Sequence, residues 1–200
     1  MTAAMVEPGR NAGGRAWEYL LQSWRELDVP EGWRAEIDAG QIHLAPPPHP
    51  FHNEIAELLQ RARYGVLPLE IGLYQTLGIR IGSLGRLYVP DLAMVPRRLV
   101  AGADPDVALP IDAAEALLVV EITSKSNADD DRKKKLWAYA HAPVPVYLLI
   151  DRFDLHGPTT TLFTNPENGV YKDSHRVAFG DVVELPKPFA VKIDTGSFPV

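Results

Sequence analysis

The chain has no cysteine, which excludes disulfides and thiolate metal sites and leaves Asp, Glu and His as the possible side-chain ligands. A metal held by carboxylates would be a hard ion such as Mg²⁺ or Mn²⁺. No apolar run approaches the roughly 20 residues of a spanning helix, and the opening MTAAMVEPGRNAGGR carries no apolar signal-peptide core. A cytoplasmic protein without a membrane partner is the expectation. Positive charge is in deficit too: 20 Lys and Arg stand against 26 Asp and Glu, a net charge of −6. That counts against a protein that holds nucleic acid mainly through its phosphates. There is no internal repeat and no low-complexity tract. The 200 residues, 46% hydrophobic and 23% charged, fit one well-cored domain over residues 15–200 behind a flexible tail of residues 1–14.

Periodicity supplies the elements. Trp17, Leu20, Leu21, Trp24 and Leu27 fall at helical spacing. Residues 32–46 alternate around Asp38-Ala39-Gly40 and predict a hairpin, and from Phe51 to about Tyr64 the spacing is helical again. Leu67 to Val95, broken by glycines, predicts two or three strands in a meander, with Pro90 marking an edge position or a bulge. EALLVVEIT is apolar on both faces, as in a buried central strand. Ser126 or Asn127 then caps a helix running to about His141, and VPVYLLID is a second apolar strand. Strand, helix, strand in that order predicts a crossover with parallel strands. A hairpin through Asn165 to Gly169 and one or two short strands complete the chain.

Glu121 is the anomaly. It ends a strand otherwise bound for the core, where a lone carboxylate needs a cation, donors or an exit to water. For a single strand-end glutamate the exit to water is the ordinary explanation. Asp91 occupies a similar place in VPDLAMVP, and two acids on neighbouring strand ends would repel unless a divalent cation lay between them. On the helix that leaves the Glu121 strand, Asp131, Lys135 and Tyr139 form one stripe. An ordinary ion pair explains that spacing, but its location also allows Lys135 to reach back toward the acids, orient a water and stabilise charge on a phosphate.

In order and spacing, WRAEIDAGQIHLAPPPHPFH, VPDLAMVP and LLVVEITSKSNADDDRKKKLWAYAHAPVPVYLLID resemble the Uma family of restriction-endonuclease-type proteins, a branch of the PD-(D/E)XK nuclease superfamily. The likeness spans about residues 31–151 and fixes Glu121, Ser124, Asp131, Lys135, Tyr139 and Asp151 in one register. It implies an α/β (α+β) restriction-endonuclease-like core, a central mixed sheet flanked by helices, with an N-terminal helix and hairpin and a C-terminal hairpin. It further implies a Mg²⁺- or Mn²⁺-dependent endonuclease that hydrolyses phosphodiesters of nucleic acid, DNA before RNA, leaving 5′-phosphate and 3′-hydroxyl ends. Asp91 and Glu121 look like the metal-binding acids, joined by the backbone carbonyl of Ile122. The superfamily's lysine two residues after the glutamate is replaced here by Thr123. Lys135 matches the Uma-type lysine on the following helix, with Lys125 as its rival. His52 matches a family histidine and is a further candidate ligand, or a helix-start cap. Glu36 with Gly40 matches the family hairpin, or is simply exposed, and Asp151 is expected to cap the segment after its strand.

Two other functions compete. Thr123 and the acidic balance would suit a catalytically silent nuclease-fold binding or regulatory module. A paired-carboxylate glycoside hydrolase would leave Lys135 without a role. A homodimer would suit an enzyme that cuts two strands.

Overall fold

Gly14 opens the part of the chain that the computed structural model describes, which comprises residues 14–62, 67–102, 110–125 and 127–200. Helix α1, Arg15–Glu26, buries Trp17 and Leu21 against Ile37, Leu87 and Val89. Strands β1, Arg34–Asp38, and β2, Gln41–Ala45, pair with Asp38 opposite Gln41. The two residues between them, Ala39 and Gly40, have φ of 48° and 77°, the left-handed pair that a two-residue hairpin requires. Helix α2, Pro50–Arg61, starts on proline, whose missing N–H costs nothing in the first turn. It turns His52, Ile55, Ala56 and Leu59 inward.

Four short strands come next: β3, Ile71–Tyr74; β4, Ile79–Ile81; β5, Arg86–Tyr88; and β6, Leu92–Pro96. After α3, Arg97–Ala101, come β7, Ile111–Asp112, and β8, Leu118–Ile122. A π-helical stretch, Asp130–Lys135, runs into α4, Leu136–His141, which leads to β9, Val146–Asp151. The chain ends with β10, Thr159–Glu167, β11, Val170–Ala178, β12, Val182–Glu184, and β13, Lys192–Asp194.

The main sheet has the order β11-β10-β9-β8-β6-β3 and the smaller one β2-β1-β5-β4-β7, while β12 pairs with β13. Among the described residues only β8 and β9 pair in parallel in the main sheet, and the helix between them is the crossover that parallel pairing demands. Every residue of both strands is buried. One face of the main sheet carries Leu92, Met94, Leu118, Val120, Leu148 and Ile150 against Ile55 and Leu59 of α2 and against Phe189. The other carries Ala93, Val95, Val119 and Tyr147 against Ala138 and Tyr139 of α4 and Ile79 and Ile81 of the second sheet. Asp91 and Glu121 continue this second alternation.

The fold class expected from the sequence is the one observed, with two corrections of detail. The segment from Leu67 to Val95 holds four strands rather than two or three, and they belong to two sheets: β3 and β6 to the main one, β4 and β5 to the smaller. Pro90 marks neither an edge nor a bulge, for β6 lies between β8 and β3. Val89-Pro90-Asp91 is the link by which the chain changes sheet, where proline forfeits no ladder bond. The tail up to residue 13, the expected helix end at Tyr64 and the Ser126 cap fall outside the described residues.

Leu148 is fully buried at the centre of the main sheet. Leu148→Ala is expected to lower unfolding free energy by about 2–5 kcal/mol, measured as a shift in denaturant midpoint at unchanged m-value.

Candidate functional site

The register Leu92↔Val120 between β6 and β8, carried one residue further, sets Asp91 beside Glu121. Both point to the α4 side of the sheet. Asp91 is 6% exposed and Glu121 1%, so neither has the exit to water that an ordinary strand-end acid would take.

Asp91 is closely partnered. Its Oδ1 accepts from Arg34 Nη1 at 2.7 Å, and its Oδ2 accepts from the Ile122 backbone N–H at 2.7 Å and lies 3.0 Å from His52 Nε2. Burial pushes its pKa up, but His52, Arg34 and the Ile122 N–H more than offset that and hold it at about 2. Glu121 is in the opposite condition. Its Oε2 accepts from Lys135 Nζ at 3.2 Å, while Oε1 is buried with no hydrogen-bond partner among the described residues. Burial raises its pKa well above the ordinary range; Lys135 pulls it down, and Asp131, Asp91 and Glu36 add to the rise.

Lys135 is 7% exposed and sits among carboxylates: Glu36 Oε1 and Glu121 Oε2 at 3.2 Å and Asp131 Oδ1 at 3.5 Å. The Tyr88 ring centroid lies 5.5 Å from its Nζ, within cation–π range. Burial lowers its pKa, but these acids outweigh burial and raise it well above that of a free lysine. Lys135 is therefore a fixed cation. The helix is π-wound from Asp130 to Lys135, a local widening that is common at functional sites.

The other expected residues divide. Glu36 is a buttress, accepting from the Val89 N–H at 2.8 Å as well as from Lys135. Asp131 is fully buried and its pKa is raised to about 7, first by burial, with Lys135 opposing and Asp91 and Glu36 reinforcing. Tyr139 is buried behind the cluster, its hydroxyl unpartnered among the described residues. Lys125 lies exposed on the loop. Thr123 donates from its hydroxyl to Asp151 at 3.1 Å. Asp151 is held by Arg132 at 2.7 Å and accepts from the Phe153 N–H, so it caps the turn after β9. Asn127 does not cap the helix: its Oδ1 accepts from both the N–H and the hydroxyl of Ser124. Arg34 is the site residue that sequence reasoning missed. Its one signal is the i, i+2 alternation that sets Arg34 and Glu36 on the same face of β1.

Among the described residues no group of three His, Asp or Glu is arranged as a ready metal site. The donor chemistry nevertheless suits a hard divalent ion. Four carboxylates, Glu36, Asp91, Glu121 and Asp131, face two permanent cations, Arg34 and Lys135, leaving an excess of two negative charges that either protons or one divalent cation can offset. Glu121 Oε1 is unpaired among the described residues, and each Asp91 oxygen has two lone pairs, of which Oδ1 gives one to Arg34.

A mixed sheet flanked by helices, with two acids at adjacent strand ends beside a buried lysine, makes this an α/β protein with a buried charged cluster. Residues 17–196 match the Uma2 family, described as "Putative restriction endonuclease", and the chain belongs to that family. The fold is shared with the crystal structure of "a putative nuclease belonging to DUF820" from Anabaena variabilis, with a TM-score of 0.65, 18% identity, and 85% of this chain and 90% of that chain covered. Comparison with curated proteins finds no match.

The two kinds of acid predict opposite pH responses. An acid with raised pKa, such as Asp131 at about 7, binds its proton more tightly folded than unfolded, so stability falls as pH rises from about 4 through about 7. Asp91, held at about 2, contributes stability that is present above about pH 4 and lost as pH drops toward 2. Thermal melts across pH 3–8 are expected to peak between these ranges. Asp131→Asn is expected to flatten the decline toward neutral pH, which is worth a few kcal/mol.

Proposed function

We propose that the chain is a metal-dependent endonuclease that hydrolyses DNA phosphodiesters to 5′-phosphate and 3′-hydroxyl ends, with Asp91, Glu121 and Lys135 as its catalytic residues. The observation that carries this reading is the Asp91–Glu121 pair on adjacent strand ends with the Lys135 amine 3.2 Å from Glu121. Family membership and the nuclease-fold neighbour support a nuclease and hence a nucleic-acid substrate. A divalent ion, Mg²⁺ or Mn²⁺, held by Asp91, Glu121 and the Ile122 carbonyl, with His52 as a further ligand, would supply Lewis acidity and a water of lowered pKa.

The chain's own groups do the rest. Lys135, fixed in its charged form by three acids, cannot take a proton from water; it stabilises the charge that grows on the phosphoryl oxygens and orients the attacking water. His52, Arg34 and the Ile122 N–H, which hold Asp91, keep that acid ionised. The water oxygen ends on the 5′-phosphate, while the P–O3′ bond breaks and the 3′ oxygen leaves with a proton. No described helix is long and apolar enough to cross a membrane, and a cytoplasmic site of action, where DNA is reached, belongs to the same proposal.

One observation favours a second reading, a silent nuclease-fold binding module. Thr123 stands where the superfamily lysine belongs and is committed to Asp151, while three donors already engage Asp91. Plasmid and oligonucleotide cleavage with Mg²⁺ or Mn²⁺, against chelator, separates the two. Cleavage is expected to vanish with chelator and to drop about 10²–10³-fold in Glu121→Ala and in Lys135→Ala, with Asp91→Ala as severe. Melting curves must show each variant folded. Metal-dependent cutting that survives both acid substitutions would sink the assignment; metal binding by calorimetry without any cutting would favour the silent module.

A further inference from the structure

Beside the acid cluster a cavity of about 550 Å³ opens between the end of α1, the loop before β1, the first turns of α2 and the turn after β3. Its size lies within the range of small-molecule sites. Two indoles, Trp24 and Trp33, line it. The Trp24 N–H donates to the Ala35 carbonyl at 2.8 Å, which fixes that ring, whereas Trp33 is 40% exposed. Around them stand groups able to read the edge of a planar ligand, the amides of Asn53 and Gln75 and the hydroxyl of Thr76. Thr76 holds φ at 53°, a conformation that a β-branched residue seldom adopts and that strained functional turns retain.

The inner wall borders the acid cluster at its Asp91 end. Asp91, His52 and Arg34 line the cavity and also form the ion-paired end of the cluster. Two buried polar atoms of these residues, Arg34 Nε and His52 Nδ1, have no partner among the described residues, and such atoms are costly unless a ligand or water meets them. We infer that this cavity receives one unstacked base of a DNA strand, held by Trp33, while the adjoining phosphate lies at the Asp91–Glu121 cluster. A base in an intact duplex is stacked and paired and cannot enter, so single strands, bulges and other unpaired sites are the favoured substrates. The inference rests on the reading of Asp91 and Glu121 as the hydrolytic site.

The test is binding of fluorescein-labelled oligonucleotides to the full chain with Ca²⁺ in place of Mg²⁺, so that a hard cation offsets the excess negative charge of the cluster, followed by anisotropy and tryptophan quenching. The three DNA forms are a single strand, a fully paired duplex and the same duplex with one bulged base. Single-stranded and bulged DNA are expected to bind at least tenfold tighter than paired duplex and to quench tryptophan fluorescence. Trp33→Ala is expected to weaken both by about fivefold to a hundredfold, and Trp33→Phe, which keeps a stacking face, to recover most of that loss. Since Trp33 is partly exposed, both variants should melt like the wild type. Equal binding of duplex and bulged DNA, or a folded Trp33→Ala protein that binds like the wild type, overturns the inference even where Mg²⁺-dependent cutting persists. Base-selective, Trp33-dependent binding with no cutting on adding Mg²⁺ supports the cavity and overturns the nuclease reading instead.

Discussion

The Lys135 ammonium is the interaction on which the site depends. Its charge lies within 3.5 Å of acids from three elements, Glu36 of β1, Glu121 of β8 and Asp131 of its own helix, and over the Tyr88 ring of β5. Burying an ammonium costs several kcal/mol unless opposite charges meet it, and burying those acids would cost as much without the ammonium. Each group is tolerated only in the company of the others. The small sheet, the main sheet and the crossover helix are thereby tied at one point.

The second tie is the link Val89-Pro90-Asp91, where the chain leaves the small sheet for the large one. A chain changing sheets gives up ladder hydrogen bonds, and buried backbone groups need substitutes. Side chains of the cluster provide them: Glu36 accepts from the Val89 N–H, Arg34 donates to the Val89 carbonyl, and Asp91 itself accepts from the Ile122 N–H across to β8. The charged residues are therefore also the mortar of the sheet junction. Chemistry and architecture are coupled here, and removing one acid removes a backbone partner along with a charge.

How much of the molecule is legible in its sequence depends on how local each signal is. The Ala39-Gly40 turn, the amphipathic α1 and the apolar strand-helix-strand of β8, α4 and β9 each announce themselves within a dozen residues, and Asp91, Glu121 and Lys135 stand out as charges beside or between apolar runs. Pairing across distance does not show. Alternation in the segment from Ile71 to Pro96 fixes strands but not which sheet each one joins, so a two-sheet arrangement has the pattern of one meander. Arg34 looks like any polar residue of an alternating hairpin because its partner, Asp91, lies 57 positions away. The π winding is hidden as well, since a stripe of Asp131, Lys135 and Tyr139 at intervals of four is what an ordinary α-helix would show.

The two strand-end acids are unequal, and the inequality divides their work. Asp91 is satisfied by Arg34, His52 and the Ile122 N–H and keeps its charge under all ordinary conditions. Among the described residues Glu121 has one ion-pair partner, Lys135, which it shares with Glu36 and Asp131, and an oxygen with no hydrogen-bond partner. Adjacent titratable groups whose surroundings drive them apart mark distinct roles. Asp91 already has its full set of donors, and Glu121 is short of positive charge. On the proposed function, a cation entering the cluster would gain most at Glu121 Oε1, while Asp91, fixed by its three donors, would set where that cation sits.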